Sequence, residues 1–169
     1  GHRRIALMLP PRDLMSSHFM ELGFQKAARE TGICVHASLV RNGDLTEQDG
    51  YRISEALLTL EDRPTAIIAG NALMALGAIS AARSLGLVVG RDVAVIGFGD
   101  IPTASYSQPP LTIVRQPIFE IGKQICKMLM QLLKGALGEA QHLLLPSELV
   151  IRESCGASLR LRKERRAIS

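Results

Sequence analysis

Pro64-Thr65-Ala66-Ile67-Ile68-Ala69-Gly70-Asn71, the alanine-rich run Ala72 to Leu85, and Asp92-Val93-Ala94-Val95-Ile96-Gly97-Phe98-Gly99-Asp100 together set the architecture. Thr65 to Ala69 and Val93 to Phe98 are short, fully apolar and rich in branched residues, the pattern of strands buried on both faces. The segment between them has helical spacing, opens on Asn71 as a capping residue and closes at Gly86. The unit is therefore strand, helix, strand. A parallel return needs a long crossover, which a helix supplies.

The same alternation extends in both directions. Arg4 to Leu9 predicts a strand, and Ser16 to Glu30 predicts a helix with Phe19, Leu22, Gly23, Ala27 and Ala28 at helical spacing, ending at Gly32. Cys34 to Val40 alternates as a strand, and Thr46 to Leu60 places Ile53, Ala56, Leu57 and Leu60 on one helical face. Beyond Gly99 the pattern changes: Ile101 to Pro110 is polar and carries three prolines, so a long loop is expected. Thr112 to Arg115 then reads as a strand, Ile118 to Lys134 as an amphipathic helix, and Leu143 to Arg152 as a final extended run. The predicted fold class is α/β, a doubly wound parallel sheet.

Composition narrows the function. The chain has 169 residues, 47% hydrophobic and 21% charged, about one globular domain. No apolar run approaches the roughly 20 residues of a membrane helix. Ile5 to Pro11 is too short for a signal-peptide core and has no cleavage site behind it, so nothing here is expected to direct export. Cys34, Cys126 and Cys155 are odd in number, widely spaced and unclustered with histidine, which predicts reduced thiols in a cytoplasmic protein and no metal site. The net charge of +4 resides in residues 158–169, where five basic side chains meet one acidic. The body is balanced and has no global attraction for phosphate; the tail is expected to be solvated and disordered.

Ligands of open α/β sheets bind at the carboxyl ends of the strands. The loops there are Pro10 to Ser17, Arg41 to Leu45, Gly70 to Asn71, and Gly99 to Ile101. The turn after the first strand reads Leu9-Pro10-Pro11-Arg12 where a dinucleotide fold requires GxGxxG, which argues against NAD. No P-loop, nucleophile elbow or HExxH occurs, and the mouth loops carry no paired acid and base. The reading is non-enzymatic, with no cofactor.

Several segments, in order and in spacing, resemble the LacI/GalR family of bacterial transcription regulators. They are Gly1-His2-Arg3-Arg4-Ile5-Ala6, Leu22-Gly23-Phe24, Pro64 to Asn71 with Ala75-Leu76-Gly77, Asp92 to Asp100, Pro109-Pro110-Leu111-Thr112 through Gln116-Pro117 to Gly122, and Leu145-Pro146 through Glu148-Leu149-Val150 to Arg152. The resemblance covers roughly residues 1 to 157. It implies a periplasmic-binding-protein-like type I fold of two hinged α/β subdomains around a small-molecule effector, of which this chain holds mostly the second. Residues 1–114 would form that second subdomain, 115–147 the crossover and a helix of the first, and 148–157 the return strand. Operator DNA would be met by an N-terminal helix-turn-helix absent from this chain, and a homodimer would form through the helix Ala72 to Leu85 and the loop around Ile101 to Gln108. The alternative is a periplasmic-type solute receptor of the same fold. The sequence upstream separates the two: a helix-turn-helix marks a regulator and a signal peptide a receptor.

The resemblance also nominates effector-facing residues. Asn71 caps a helix at a strand's carboxyl end and matches an effector contact; Ser16 is both an N-cap candidate and a polar contact; Gln116 lies at the crossover. Arg12 and Arg115 are either solvated or paired with an anionic effector. Departures from the family pattern sit at Gly99, where only the following Asp100 retains a carboxylate, at Met20 in place of an arginine, and at Leu45 in place of an aromatic platform. A pyranose needs polar partners for its hydroxyls and an aromatic face for its C–H patch, so the expected effector is a sugar or related metabolite, either less polar, or acidic and met by Arg12 or Arg115, or completed by groups of the other subdomain.

The helix from Ile118 makes a physical demand. Ile118, Ile121, Ile125, Met128, Leu129, Leu132 and Leu133 would contribute about 10 to 20 kcal/mol if fully buried. Without the first subdomain, this helix is expected to pack on another copy of the chain or to be disordered.

Overall fold

A computed structural model describes residues 1–135 and 142–157; the basic tail predicted for 158–169 lies outside the described residues. The elements are β1 (Ile5–Leu9), α1 (Met15–Glu30), β2 (Val40–Asn42), α2 (Glu47–Leu58), β3 (Ala66–Ala69), α3 (Ala72–Ser84), β4 (Ala94–Phe98), α4 (Pro102–Tyr106), β5 (Thr112–Arg115), α5 (Ile118–Leu133) and β6 (Glu148–Val150). The sheet order is β2-β1-β3-β4-β5-β6. Its first five strands are parallel and β6 pairs antiparallel with β5.

Right-handed crossovers place α1, which leads leftward to β2, on one face, and α2 and α3, which lead rightward, on the other. Side-chain alternation agrees. Ile67, Val95 and Ile113 are completely buried on the α2/α3 face, whereas Ile68, Ile96, Phe98 and Val114 are half-buried on the α1 face. The core therefore sits between the sheet and the α2–α3 pair, built from Met8, Leu39, Ile53, Leu57, Met74 and a set of alanines. The small side chains of α3 serve close approach: Ala72, Ala75, Ala78, Ala81 and Ala82 are all buried. A Cβ on Gly97 of β4 would lie 3.0 Å from the Ala75 Cβ.

Three expectations need correction. Cys34 to Val40 is not a strand: a 3-10 turn spans Ala37–Leu39 and β2 begins only at Val40. At this sheet edge the register with Leu7–Leu9 gives Val40–Asn42 a partner and the preceding residues none. The loop expected over Ile101 to Pro110 contains α4, started by Pro102, which loses no bond at the first helical position, and pinned by buried Ala104. The Gln108–Pro109 peptide bond that follows is cis. Finally, Ser16 does not cap α1. Leu14 holds the N-cap without a side-chain bond, and the neighbouring Ser17 is the buried serine.

The caps at Gly32 and Gly86 are present, both in the left-handed region, with φ of 65° and 73°. No residue of α5 is buried among the described residues; Ile118, Ile125, Leu129, Leu132 and Leu133 are all exposed. The helix is formed; among the described residues Ile121 and Met128 are half-buried beside Leu143–Leu145, and the rest of its apolar stripe stays exposed.

Candidate functional site

The connections after β1, β2, β3, β4 and β5 meet at one edge of the sheet, as parallel strands require. Those after β1 to β4 are held by polar side chains. After β1, Ser17 Oγ donates to Pro10 O at 3.1 Å, and the Asn42 amide donates to the same carbonyl at 2.7 Å and to Ser17 Oγ at 3.0 Å. The Asn42 carbonyl in turn accepts from Arg12 Nε at 3.0 Å, which orients the Arg12 guanidinium. Ser17 and Asn42 thus hold the first mouth loop, and neither stood out in the sequence. Their only signal was a pair of ordinary polar residues flanking that loop.

Asn71 does what its position predicts. Its Oδ1 accepts from Met74 N at 2.8 Å, capping α3, and its Nδ2 donates to Leu45 O at 2.7 Å. Leu45 has φ of 69°, in the left-handed region that a branched side chain adopts at a cost. The asparagine therefore ties together the loops after β2 and β3, and keeps one N–H and one lone pair unused by these two bonds. Asn71→Ala is expected to destabilise the fold by about 2 kcal/mol, since it removes the cap and leaves the Leu45 carbonyl without its donor. Urea unfolding of the two forms measures this.

Asp100, after β4, is enclosed by cations. Its Oδ2 accepts from Arg115 Nε at 2.8 Å and Arg115 Nη2 at 2.6 Å, and Arg152 Nη2 lies 3.2 Å from Oδ1. Arg115 also reaches Glu148 Oε2 at 3.4 Å. Burial by itself would raise the Asp100 pKa; the hydrogen bonds from Arg115 and Arg152, with their charges, outweigh it and hold the carboxyl below its ordinary value. Arg115 is thus committed within the protein, whereas Arg12 keeps its two terminal nitrogens without a partner among the described residues.

Across the sheet, Asp92 is lowered to about 2 by its hydrogen bonds from Arg91 and from the Val88 N–H. A carboxyl with a depressed folded-state pKa stabilises the fold above its ordinary value, and that contribution is lost as pH falls through the folded one. The urea midpoint is therefore expected to be flat near neutrality and to drop as pH falls from about 4 to about 2. In Asp92→Asn part of that slope disappears.

α1 divides the remaining predicted residues between two grooves. One, of about 470 Å³, lies between α1 and the half-buried sheet face, lined by Ser16, Phe19 and Met20 on one side and by Ile68, Gly70, Phe98 and Gln116 on the other. The other, of about 520 Å³, runs between α1 and the edge strand β2; Arg12, His18, Glu21 and Asn42 line it. Ser16, Met20 and Gln116 are thus brought together, Asn71 and Leu45 form a second pair, and Arg12 and Asp100 stand apart. Among the described residues no group of three His, Cys, Asp or Glu side chains is arranged to hold a metal. Cys34, Cys126 and Cys155 are free thiols. No helix of these residues is long and apolar enough to cross a membrane.

A mostly parallel sheet whose loops converge at one edge, joined to an outlying helix by two adjacent strands, is the arrangement of a periplasmic-binding-type α/β fold. The chain belongs to the periplasmic binding protein-like domain family, which it matches over residues 1–155, and its relatives are LacI-family regulators. It is 35% identical over 157 residues to the HTH-type transcriptional repressor CytR of Escherichia coli K12, covering 93% of this chain and 46% of that protein. A LacI-family regulatory protein from Chloroflexus aggregans superposes with a TM-score of 0.87 at 39% identity, over 91% of this chain and 56% of that one. A lac repressor dimer bound to operator and the anti-inducer ONPF superposes with a TM-score of 0.86 at 33% identity, over 93% and 54%. The chain thus spans about half the length of these relatives.

Proposed function

We propose that this chain is the effector-sensing and dimer-forming part of a LacI-type transcription regulator, with a small molecule bound between this lobe and a second one. The observation that carries the reading is the α5 connection. The sheet sends out β5, continues into a helix whose apolar stripe is largely exposed among the described residues, and takes back β6, the pattern of a chain that crosses into a neighbouring lobe and returns. On this layout residues 1–114 are the second subdomain, 115–147 the crossing, and 148–157 the return. Operator contact belongs to a helix-turn-helix outside these 169 residues, and the regulator works in the cytoplasm, where its operator lies. Relatives named as repressors favour this over a solute receptor and over an enzyme. Exposed Leu73 on α3 and Tyr106 on α4 are apolar surface for a two-fold pairing.

Ser16, Asn71 and Gln116 are the polar contacts of the effector, with Met20 and Leu45 as its apolar surroundings. Asp100 acts on the site through the arginines that surround it, and Arg12 accepts an anionic group if the effector has one. With so few polar groups, the site suits a metabolite with a substantial apolar face. The test is a thermal-shift screen of the full-length protein with sugars, nucleosides, sugar phosphates and dicarboxylates, in which a ligand at 100 times its Kd adds about 2.7 kcal/mol. The shift is expected to shrink in Asn71→Ala and Gln116→Ala. A shift that both variants retain in full would place the effector elsewhere.

A further inference from the structure

We propose that Asp100 is a positioning residue that clamps the two-strand hinge between the sheet and α5. The β5–β6 ladder ends at the Arg115–Glu148 pair, beyond which the strands diverge into Gln116-Pro117 on one side and Ser147-Pro146 on the other. Asp100 belongs to neither strand. It comes from the loop after β4 and grips Arg115, the last residue of β5, and Arg152, two residues past the end of β6.

The two arginines differ in how they are rooted. Arg152 is fixed in the body: its side chain is 14% exposed, its Nη1 donates to Leu111 O at 2.7 Å, and its backbone N–H donates to Thr112 Oγ1 at 2.9 Å. Arg115 stands at the outer end, 43% exposed, with one side of its guanidinium on Asp100 and the other toward Glu148, which is 69% exposed. The polar chain thus runs from Leu111 through Arg152, Asp100 and Arg115 to Glu148, from the rigid sheet to the last rung before α5. Planar guanidinium geometry makes such contacts directional, so they fix an angle as well as a distance.

Neutralising Asp100 removes the negative charge the two guanidiniums share and one of its two acceptor oxygens, and leaves two like charges facing each other. The divergence of the strands, and with it the orientation of α5, then loses its restraint. This deepens the sensor reading, on which it rests for one consequence: movement between lobes passes through this hinge, so the clamp sets their resting angle.

Hydrogen exchange on the full-length protein tests the clamp without any effector, so its failure is separable from failure of the sensor reading. In Asp100→Asn, amides in 112–117 and 148–153 are expected to exchange about tenfold faster, with α3 unchanged. Arg115→Gln, which leaves the Arg152 contact intact, gives the same local pattern in smaller degree and covers the case in which Asp100→Asn fails to fold. Arg52→Gln, which removes a carboxylate–arginine pair on α2, away from the hinge, leaves these segments unchanged. Spin labels at Ala56→Cys and Lys127→Cys, in a background lacking the native cysteines, report a distance distribution about twofold wider in Asp100→Asn. Acceleration spread over α3 as well would reduce Asp100 to a general stabiliser, and unaltered exchange and distance would remove the clamp altogether.

Discussion

Gly77→Val is expected to lower stability by about 3 kcal/mol or more, enough to threaten folding of the whole sheet and its helices. A glycine in mid-helix normally invites improvement, because replacing it with alanine gains about 1 kcal/mol of helix propensity. Here the helix crossing reverses the sign. A Cβ on Gly77 would run into the Glu47 carbonyl and the Tyr51 N–H of α2, and one on Gly50 would run into the Met74 backbone of α3. The obstacles are main chain on both sides, so no rotamer change relieves them. α2 and α3 would have to separate, opening the core around Met74, Ile53 and Leu57. Gly23 in α1 is the internal comparison, with nothing within 4 Å of its would-be Cβ, so Gly23→Ala is expected to gain about 0.5 to 1 kcal/mol. Urea unfolding of both variants distinguishes the two glycines; equal responses would show that the crossing tolerates a side chain.

Ser154→Ala carries the other large effect, about 3 kcal/mol from the loss of a single oxygen. Ser154 is completely buried just beyond β6. Its hydroxyl donates to Val95 O of β4 at 2.6 Å and accepts from Thr112 N of β5 at 2.8 Å, while its own carbonyl accepts from Val95 N at 2.9 Å. Alanine fits the space but leaves a buried carbonyl and a buried N–H with nothing to replace the hydroxyl. The same substitution unpins the segment that roots Arg152, so the hinge should loosen along with the fold. Thermal unfolding and hydrogen exchange across 148–156 check both parts; a change within about 0.5 kcal/mol, the range of an ordinary surface substitution, would contradict the assignment.

Ser154 and Gly77 also mark the boundary of what the residues reveal in a line. Apolar runs of five or so, helical spacing between them, Gly32 and Gly86 at helix ends and Asn71 at a helix start are local features. Each acts on neighbours within a turn or a strand, so the α/β alternation and the Asn71 cap were legible. The edge strand was not, because its limits depend on where Leu7–Leu9 offers a partner. Nor was the capping role expected of Ser16, since the bonds to Pro10 O come from Ser17 beside it and from Asn42 on another strand.

The site divides in the same way. Its candidate residues could be named from position alone, but what each is free to do depends on partners distant in the chain: Arg115 lies 15 residues from Asp100, Arg152 lies 52, and Leu45 lies 26 from Asn71. Hydrogen-bond capacity is finite, and a carboxylate already held by two guanidiniums is no longer the open acceptor its place in the loop suggests. Local periodicity and capping chemistry specify the elements of this fold; the closeness of α2 to α3, the pinning of β6 and the closure of Asp100 arise only when segments far apart in sequence are packed to contact distance.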